Sequence, residues 1–433
     1  MPVHQGFGGR EVRGSVRIES GAGWRRDPVR ERPDQQTTRD AGRFVLTDYV
    51  RYMTSLGGVD RPSERARRVV RPEQATLFDE GTARRRALPV IGEQKDISYY
   101  GSRARGILNN PESTGMGFWS INPYVGCAFG CAYCYARYAH RYTLERSAAA
   151  DPEHEGLRAD LDRFPPWLAF ERRIFVKENA PDVLRQTLRT GSDRLLGLLR
   201  DEELVIGTAT DPYQPAERRY RITRGVLEVL AEHAGLSVTI ITKSPLVTRD
   251  IDVLRRVARR SSIQIHLSLI TLDRELARRL EPRAPTPEAR VRALARLAAA
   301  GIPVTVNVMP VLPGITDEPR QLETLVRTVA ASGAAGVAAC ALRLQSAARQ
   351  RYLPFIEQEF PELAARYHST YAHAPDVGER YRVGLRAFFR GMCARYGVRF
   401  GYYDAPDDDA PALPSEQLEI EGLERRAQGP GKD

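Results

Sequence analysis

The run Pro287-Glu-Ala-Arg-Val-Arg-Ala-Leu-Ala-Arg-Leu-Ala-Ala-Ala-Gly301-Ile-Pro-Val-Thr-Val-Asn-Val-Met309 changes period halfway along. Up to Ala300 its apolar residues Val291, Leu294 and Leu297 recur at helical spacing. Gly301 then stands where a helix end takes a left-handed residue. From Pro303 onward apolar and polar residues alternate. Val304, Val306 and Val308 share one face, and Thr305, Asn307 and Met309 the other. Helix, glycine, strand is the building unit of a parallel sheet covered by helices.

The unit extends in both directions. Strand-like runs occupy 118–124, 204–209, 237–242, 262–269, 303–309 and 336–343, with helical patterns at 181–190, 223–234, 248–260, 287–300 and 318–332. Gly235 closes the second helix as Gly301 closes the fourth. Further helical segments follow at 347–368 and 378–396. Six such units fit a barrel, or an incomplete one, better than a helix bundle. Each later strand also carries a polar face: Thr208 and Thr210; Ser237, Thr239 and Lys243; Gln264, His266 and Ser268; Thr305 and Asn307; Arg343. A strand buried on both faces reads as continuously apolar. Agreement among five strands therefore predicts a ligand-holding interior. Chemistry in such barrels collects at the C-terminal strand ends, where Thr210, Asp211, Lys243, Ser268 and Met309 fall.

Composition sets the frame. The chain has 433 residues, a formal charge of +10 and 42% hydrophobic residues, enough for a sizeable core. No apolar run is long enough to span a membrane, and the start lacks an apolar leader core, so a cytoplasmic location is expected. The positive charge is almost all arginine; the lysines are Lys95, Lys177, Lys243 and Lys432. A basic surface suits phosphate-rich partners and, equally, plain solvation. Residues 1–95 read as a basic, largely disordered arm, 96–400 as the barrel with its C-terminal helices, and 401–433 as a flexible polar tail.

Three of the five cysteines fall together after the first strand, in Gly126-Cys-Ala-Phe-Gly-Cys-Ala-Tyr-Cys134. The spacing Cys-x3-Cys-x2-Cys is no disulfide framework. Three thiolates on one glycine-bearing loop suit three irons of a cubane and leave the fourth iron open. A structural zinc site of Cys127, Cys131, Cys134 and His140, in a protein that binds rather than catalyses, is the competing reading.

The same loop, with Tyr133 before the last cysteine, resembles the radical S-adenosylmethionine (SAM) superfamily. More narrowly, the chain resembles the spore photoproduct lyase-like, "DNA repair photolyase" branch over roughly residues 115–400. The residues carrying the likeness are INPYVGCAFGCAYCYAR (121–137), GTATDPYQPAE (207–217), ITKSPLVTRD (241–250), HLSLITLD (266–273), LEPRAPTPEAR (280–290) and IPVTVNVMPVLPGITD (302–317). The resemblance implies an α/β fold built as a partial (β/α)6 TIM-type barrel. It implies a [4Fe–4S] cluster on Cys127, Cys131 and Cys134, with SAM on the open iron. It implies an external one-electron reductant and reductive cleavage to a 5′-deoxyadenosyl radical that abstracts hydrogen from a substrate. It places Tyr133 against the adenosine, and Thr210, Lys243 and Ser268 on the cofactor. Asn307, on the same polar face, completes the candidate set. A nucleic acid, damaged or modified, is the expected substrate, and a peptide or small metabolite the alternative.

One position departs from the pattern. Thr208 stands where the lyase has a hydrogen-donating cysteine, and the catalytic residue is unassigned. Strand alternation counted from Arg343 turns Cys340 outward, against the helices. In the arm, Gln74-Ala-Thr-Leu-Phe78 resembles the short peptide by which repair proteins dock to the sliding clamp, bound as an extended segment.

Overall fold

The structure, a computed structural model, describes residues 90–94, 96–114, 117–138 and 166–401. The clamp-like Gln74–Phe78 segment, His140, and most of the arm and tail lie outside the described residues.

Among the described residues twelve strands form two sheets: β1 (Val90–Gln94), β2 (Ile97–Ser102), β3 (Leu108–Asn109), β4 (Trp119–Ile121), β5 (Tyr124–Val125), β6 (Arg173–Lys177), β7 (Glu203–Ile206), β8 (Ser237–Thr242), β9 (Ser262–Ser268), β10 (Val304–Val311), β11 (Gly336–Ala341) and β12 (Arg399–Phe400). The main sheet runs β12-β11-β10-β9-β8-β7-β4-β3. Every neighbouring pair from β4 to β12 is parallel, and β3 is an antiparallel edge. This is the expected partial barrel. Among the described residues no pairing joins β12 to β3, so the sheet stays open.

Helices cover the sheet at each of the five stretches 181–190, 223–234, 248–260, 287–300 and 318–332 that the apolar periodicity marks. Those used below are α1 (Pro166–Arg172), α2 (Ala180–Thr190), α3 (Asp193–Asp201), α4 (Ile222–Leu230), α5 (Ile251–Ala258), α6 (Arg274–Leu280), α7 (Pro287–Ala299) and α8 (Pro319–Ala331). The quoted stretch shows why. Thr286 caps α7 by accepting from the Ala289 N–H at 3.4 Å, with Pro287 in the first turn. At the other end Gly301 takes φ +76°. Its N–H reaches the Ala298 carbonyl at 2.9 Å and the Ile302 N–H reaches Leu297 at 3.0 Å, the paired bonds of a glycine-terminated helix. Leu294 and Leu297 are buried against the sheet, each contributing roughly 1.5–3 kcal/mol.

Register sorts the faces. In parallel strands, paired residues share a side. Ile240, Ile265 and Val304 pair across β8, β9 and β10 and meet the helices. Ile241, His266, Thr305 and Gly336 pair on the opposite side, as do Ser268, Asn307 and Ala338. The polar face read from alternation is the interior of the curved sheet.

A four-stranded side sheet, β1-β2-β6-β5, has no counterpart in the sequence reading. Val90–Gln94, assigned there to the arm, pairs antiparallel with β2. The run read as one strand over 118–124 divides at Asn122-Pro123. Pro123 offers no N–H to a ladder, so β4 ends in the main sheet and β5 begins in the other. The Cys loop leaves directly from β5. Helices α1, α3 and α6 have no counterpart in the sequence reading either.

Candidate active site

The Cys loop is fastened at nearly every peptide. Gly126 (φ +86°) and Gly130 (φ +65°) supply its two left-handed positions. The Gly126 carbonyl accepts from Thr210 Oγ1 at 2.6 Å and from Gln214 Nε2 at 3.0 Å. The Ala128 N–H donates to Gln214 Oε1 at 2.9 Å. From the other side the Arg283 Nε donates to the Ala128 carbonyl at 2.7 Å and the Ala132 N–H to the Leu280 carbonyl at 2.9 Å. Arg137, fully buried, donates from Nη2 to the Cys131 carbonyl at 2.6 Å. Loop shape is thus set by β7's exit and by the end of α6.

Cys127 and Cys131 are buried and Cys134 nearly so. Burial pushes the Cys127 thiol up to about 12, and the nearby Asp211 and Cys134 add to this. Burial likewise raises Cys131 and Cys134, although Lys243 pulls in the other direction on both. A thiolate at any of these positions needs a cation nearby to offset its burial, and Lys243 supplies part of this for Cys131 and Cys134. His140, the fourth ligand of the zinc reading, lies outside the described residues. Backbone N–H groups of Phe129 and Asp211 reach the Cys127 sulfur, the kind of contact that tunes a cluster.

The loop forms one wall of a cavity of about 210 Å³. The same cavity is lined by Tyr133, Thr208, Thr210, Lys243, Ser268 and Asn307. All three cysteines and all five candidate cofactor residues thus share one space. Lys243 lies at the end of β8, its Nζ 3.9 Å from Glu281 Oε1 and 5.7 Å from the Tyr133 ring centre. Burial alone would lower this ammonium, but Cys131 and Glu281 more than offset it, so its pKa is raised. Burial would raise Glu281; Arg290 and Lys243 outweigh it and keep the carboxylate ionised. Thr210 lines the cavity and also donates its hydroxyl to the Gly126 carbonyl of the loop.

Cys340 requires a correction. It lines the cavity, on the same wall as Arg343. In β11, Ala338 pairs with the inward Asn307, so Cys340, two residues on, also points inward. The strand ends at Ala341, and Arg343 belongs to an isolated bridge with Asp376, 2.9 Å from its carboxylate. Alternation counted through that break gave the wrong side. Cys393, by contrast, is packed in the core.

Several residues of the site were quoted without a role. Asp211 accepts from Thr242 Oγ1 and the Lys243 N–H, both at 2.7 Å, and so aligns the end of β8. Glu281, Arg283 and Arg290 lie in the stretch 280–290, whose four charges among prolines were the available signal. Lys177 donates to the Asn122 carbonyl at 2.8 Å; Asn122 in turn holds Thr208 and the Ala209 N–H.

The Radical SAM superfamily matches residues 121–325. An uncharacterised protein of Mycobacterium tuberculosis is 33% identical over 319 residues, 73% of this chain and 86% of its own length. An uncharacterised protein of Methanocaldococcus jannaschii is 28% identical over 208 residues, 48% of this chain and 66% of its own. Among solved structures, a spore photoproduct lyase with bound AdoMet and dinucleoside spore photoproduct is similar at 14% identity and a TM-score of 0.48, covering 73% of this chain and 88% of that one.

Proposed function

The chain belongs to the radical SAM superfamily, whose cofactors are a [4Fe–4S] cluster and SAM, and we propose that its radical chemistry is directed at damaged or modified nucleic acid. The observation that carries the enzymatic reading is the single cavity joining Cys127, Cys131 and Cys134 to Lys243, Ser268 and Asn307. The cluster and SAM, when bound and reduced by an external one-electron donor, supply a 5′-deoxyadenosyl radical. The chain's own task is placement and exclusion of water. In this reading the Lys243 ammonium takes the SAM carboxylate, Tyr133 offers a ring face to the adenosine, and Ser268 and Asn307 hydrogen-bond the cofactor from neighbouring strands. Thr210 contributes through the loop it holds.

The choice of nucleic acid is supported by the motif likeness to the spore photoproduct lyase-like branch and by the formal charge of +10. The same reading includes a cytoplasmic location and docking of Gln74–Phe78 to a sliding clamp. Among the described residues no helix is long and apolar enough to cross a membrane. The test is anaerobic incubation of the reconstituted full chain with SAM and dithionite, with and without ultraviolet-damaged DNA. Formation of 5′-deoxyadenosine, with a DNA product appearing only in the damaged sample, is the expected result. Cofactor cleavage with no change in DNA would favour a peptide or small metabolite, and no cleavage at all would remove the enzymatic reading.

Lys243→Ala is expected to weaken SAM binding by about ten- to a hundredfold, the worth of roughly 1.5–3 kcal/mol for a shielded charge-assisted contact. Iron content should stay near that of the parent. Equilibrium binding of SAM to the reconstituted variant checks it; unchanged affinity would show that Lys243 serves another purpose.

A further inference from the structure

Glu281 follows the last residue of α6 and is almost wholly buried, at 2% exposure. Its two oxygens are divided between partners. Oε1 accepts from the Tyr133 hydroxyl and lies 3.9 Å from Lys243 Nζ. Oε2 accepts from Arg290 Nη2. Arg290 is equally buried, and its other contacts are to backbone: Nε to the Pro285 carbonyl at 2.9 Å and Nη1 to the Ser268 carbonyl at 3.1 Å. This guanidinium is committed to holding Glu281 and the end of β9.

Lys243 is held differently. At 3.9 Å its ammonium is attracted by Glu281 but lies beyond hydrogen-bond distance. It is also drawn toward the Tyr133 ring, 5.7 Å away, and it lines the cavity. One carboxylate thus faces two cations, and the trio carries a net charge of +1. An ammonium aimed by attraction, without a tight ion pair, keeps donors for an incoming anion. Without Glu281 two buried cations would face each other unpaired, and Lys243, the more mobile, would turn away.

We propose that Glu281 is a positioning residue, which holds the Lys243 ammonium and the Tyr133 ring together at the cavity wall so that the carboxylate end of SAM meets a cation already in place. This rests on the reading of Lys243 as a cofactor contact. Arg290 anchors the carboxylate from behind, so Glu281 acts through Lys243 and Tyr133 and does not touch the cofactor.

The test uses the full chain, reconstituted anaerobically, and measures SAM affinity, iron content and the electron paramagnetic resonance of the reduced cluster with and without SAM. Glu281→Gln keeps the shape and removes the charge. It should weaken SAM binding about tenfold, with parental iron content and an altered SAM-bound cluster spectrum. The double variant Glu281→Gln with Lys243→Ala should bind at most about threefold more weakly than Lys243→Ala alone, because only the tie to Tyr133 is left for Glu281 to act through. Parental affinity in Glu281→Gln, or losses that multiply in the double variant, would overturn the proposal. Should Glu281→Gln fail to fold, Tyr133→Phe keeps the ring and removes its tie to Glu281. About threefold weaker binding is then expected, and unchanged affinity would overturn the proposal. Failure of the parent reading shows separately, as unaltered SAM binding in Lys243→Ala.

Discussion

Single replacement of Cys127, Cys131 or Cys134 by alanine is expected to abolish both the cluster and all cleavage of SAM. Each thiol has a distinct place on a loop pinned from both sides, and no other free cysteine stands in for it. Cys340 is on the cavity wall, but on β11 and outside the loop, and Cys393 is in the core. A cluster with two protein thiolates lacks the ligand set that holds three irons. Iron and sulfide analysis after anaerobic reconstitution, with chromatography for 5′-deoxyadenosine, measures the effect. A variant that retains a full complement of iron would reject the ligand assignment. The folded chain itself should survive, because the sheet and helices carry the core.

Gly207→Ala should be the most damaging change of one methyl group. Gly207 leaves β7 with φ +97°, a conformation that L side chains rarely adopt. Its N–H is bonded to the Ile121 carbonyl at 3.0 Å, so it cannot move freely. A Cβ there would lie 2.7 Å from the Ile241 carbonyl oxygen and 2.6 Å from Pro212 Cδ. The carbonyl belongs to the backbone of the neighbouring strand and cannot swing aside. Strain and overpacking together should cost about 2–4 kcal/mol. Because Thr208 and Thr210 follow, SAM affinity should fall as well. Chemical denaturation of the apo-protein is the direct measurement; a midpoint equal to the parent's would contradict the packing described for this corner.

The contrast between what could and could not be read along the chain has a physical basis. Strands β7 to β11 and helices α4, α5, α7 and α8 announce themselves because each has its own period, and α4 and α7 are followed by a glycine stop at Gly235 and Gly301. The polar face was legible for the same reason: alternation is local, and Thr305 and Asn307 need no distant partner to reveal their side. The Cys loop was legible from its spacing. The side sheet was not. β5 is two residues long and β6 pairs with β2 across more than seventy residues, so neither has a pattern of its own. Glu281, Arg290 and Asp211 were quoted but given no part, because a buried ion network exists only once its members are folded together. Cys340 failed at a strand end, where alternation stops and counting carries no information.

The fastening of the Cys loop also sets an order of events. Arg283, which holds the Ala128 carbonyl, comes 155 residues later in the chain, and Leu280, which receives the Ala132 N–H, is close to it. During synthesis at roughly 5–20 residues per second, the three cysteines wait roughly 8–30 s for these supports. Contacts so distant in sequence close late, since loop-closure entropy must be repaid by the sheet first. The nascent chain therefore presents three loose, mutually reactive thiols before it presents a cradle. Iron delivery belongs after residue 283 has been made, and keeping those thiols reduced until then is a task for the cell's redox machinery.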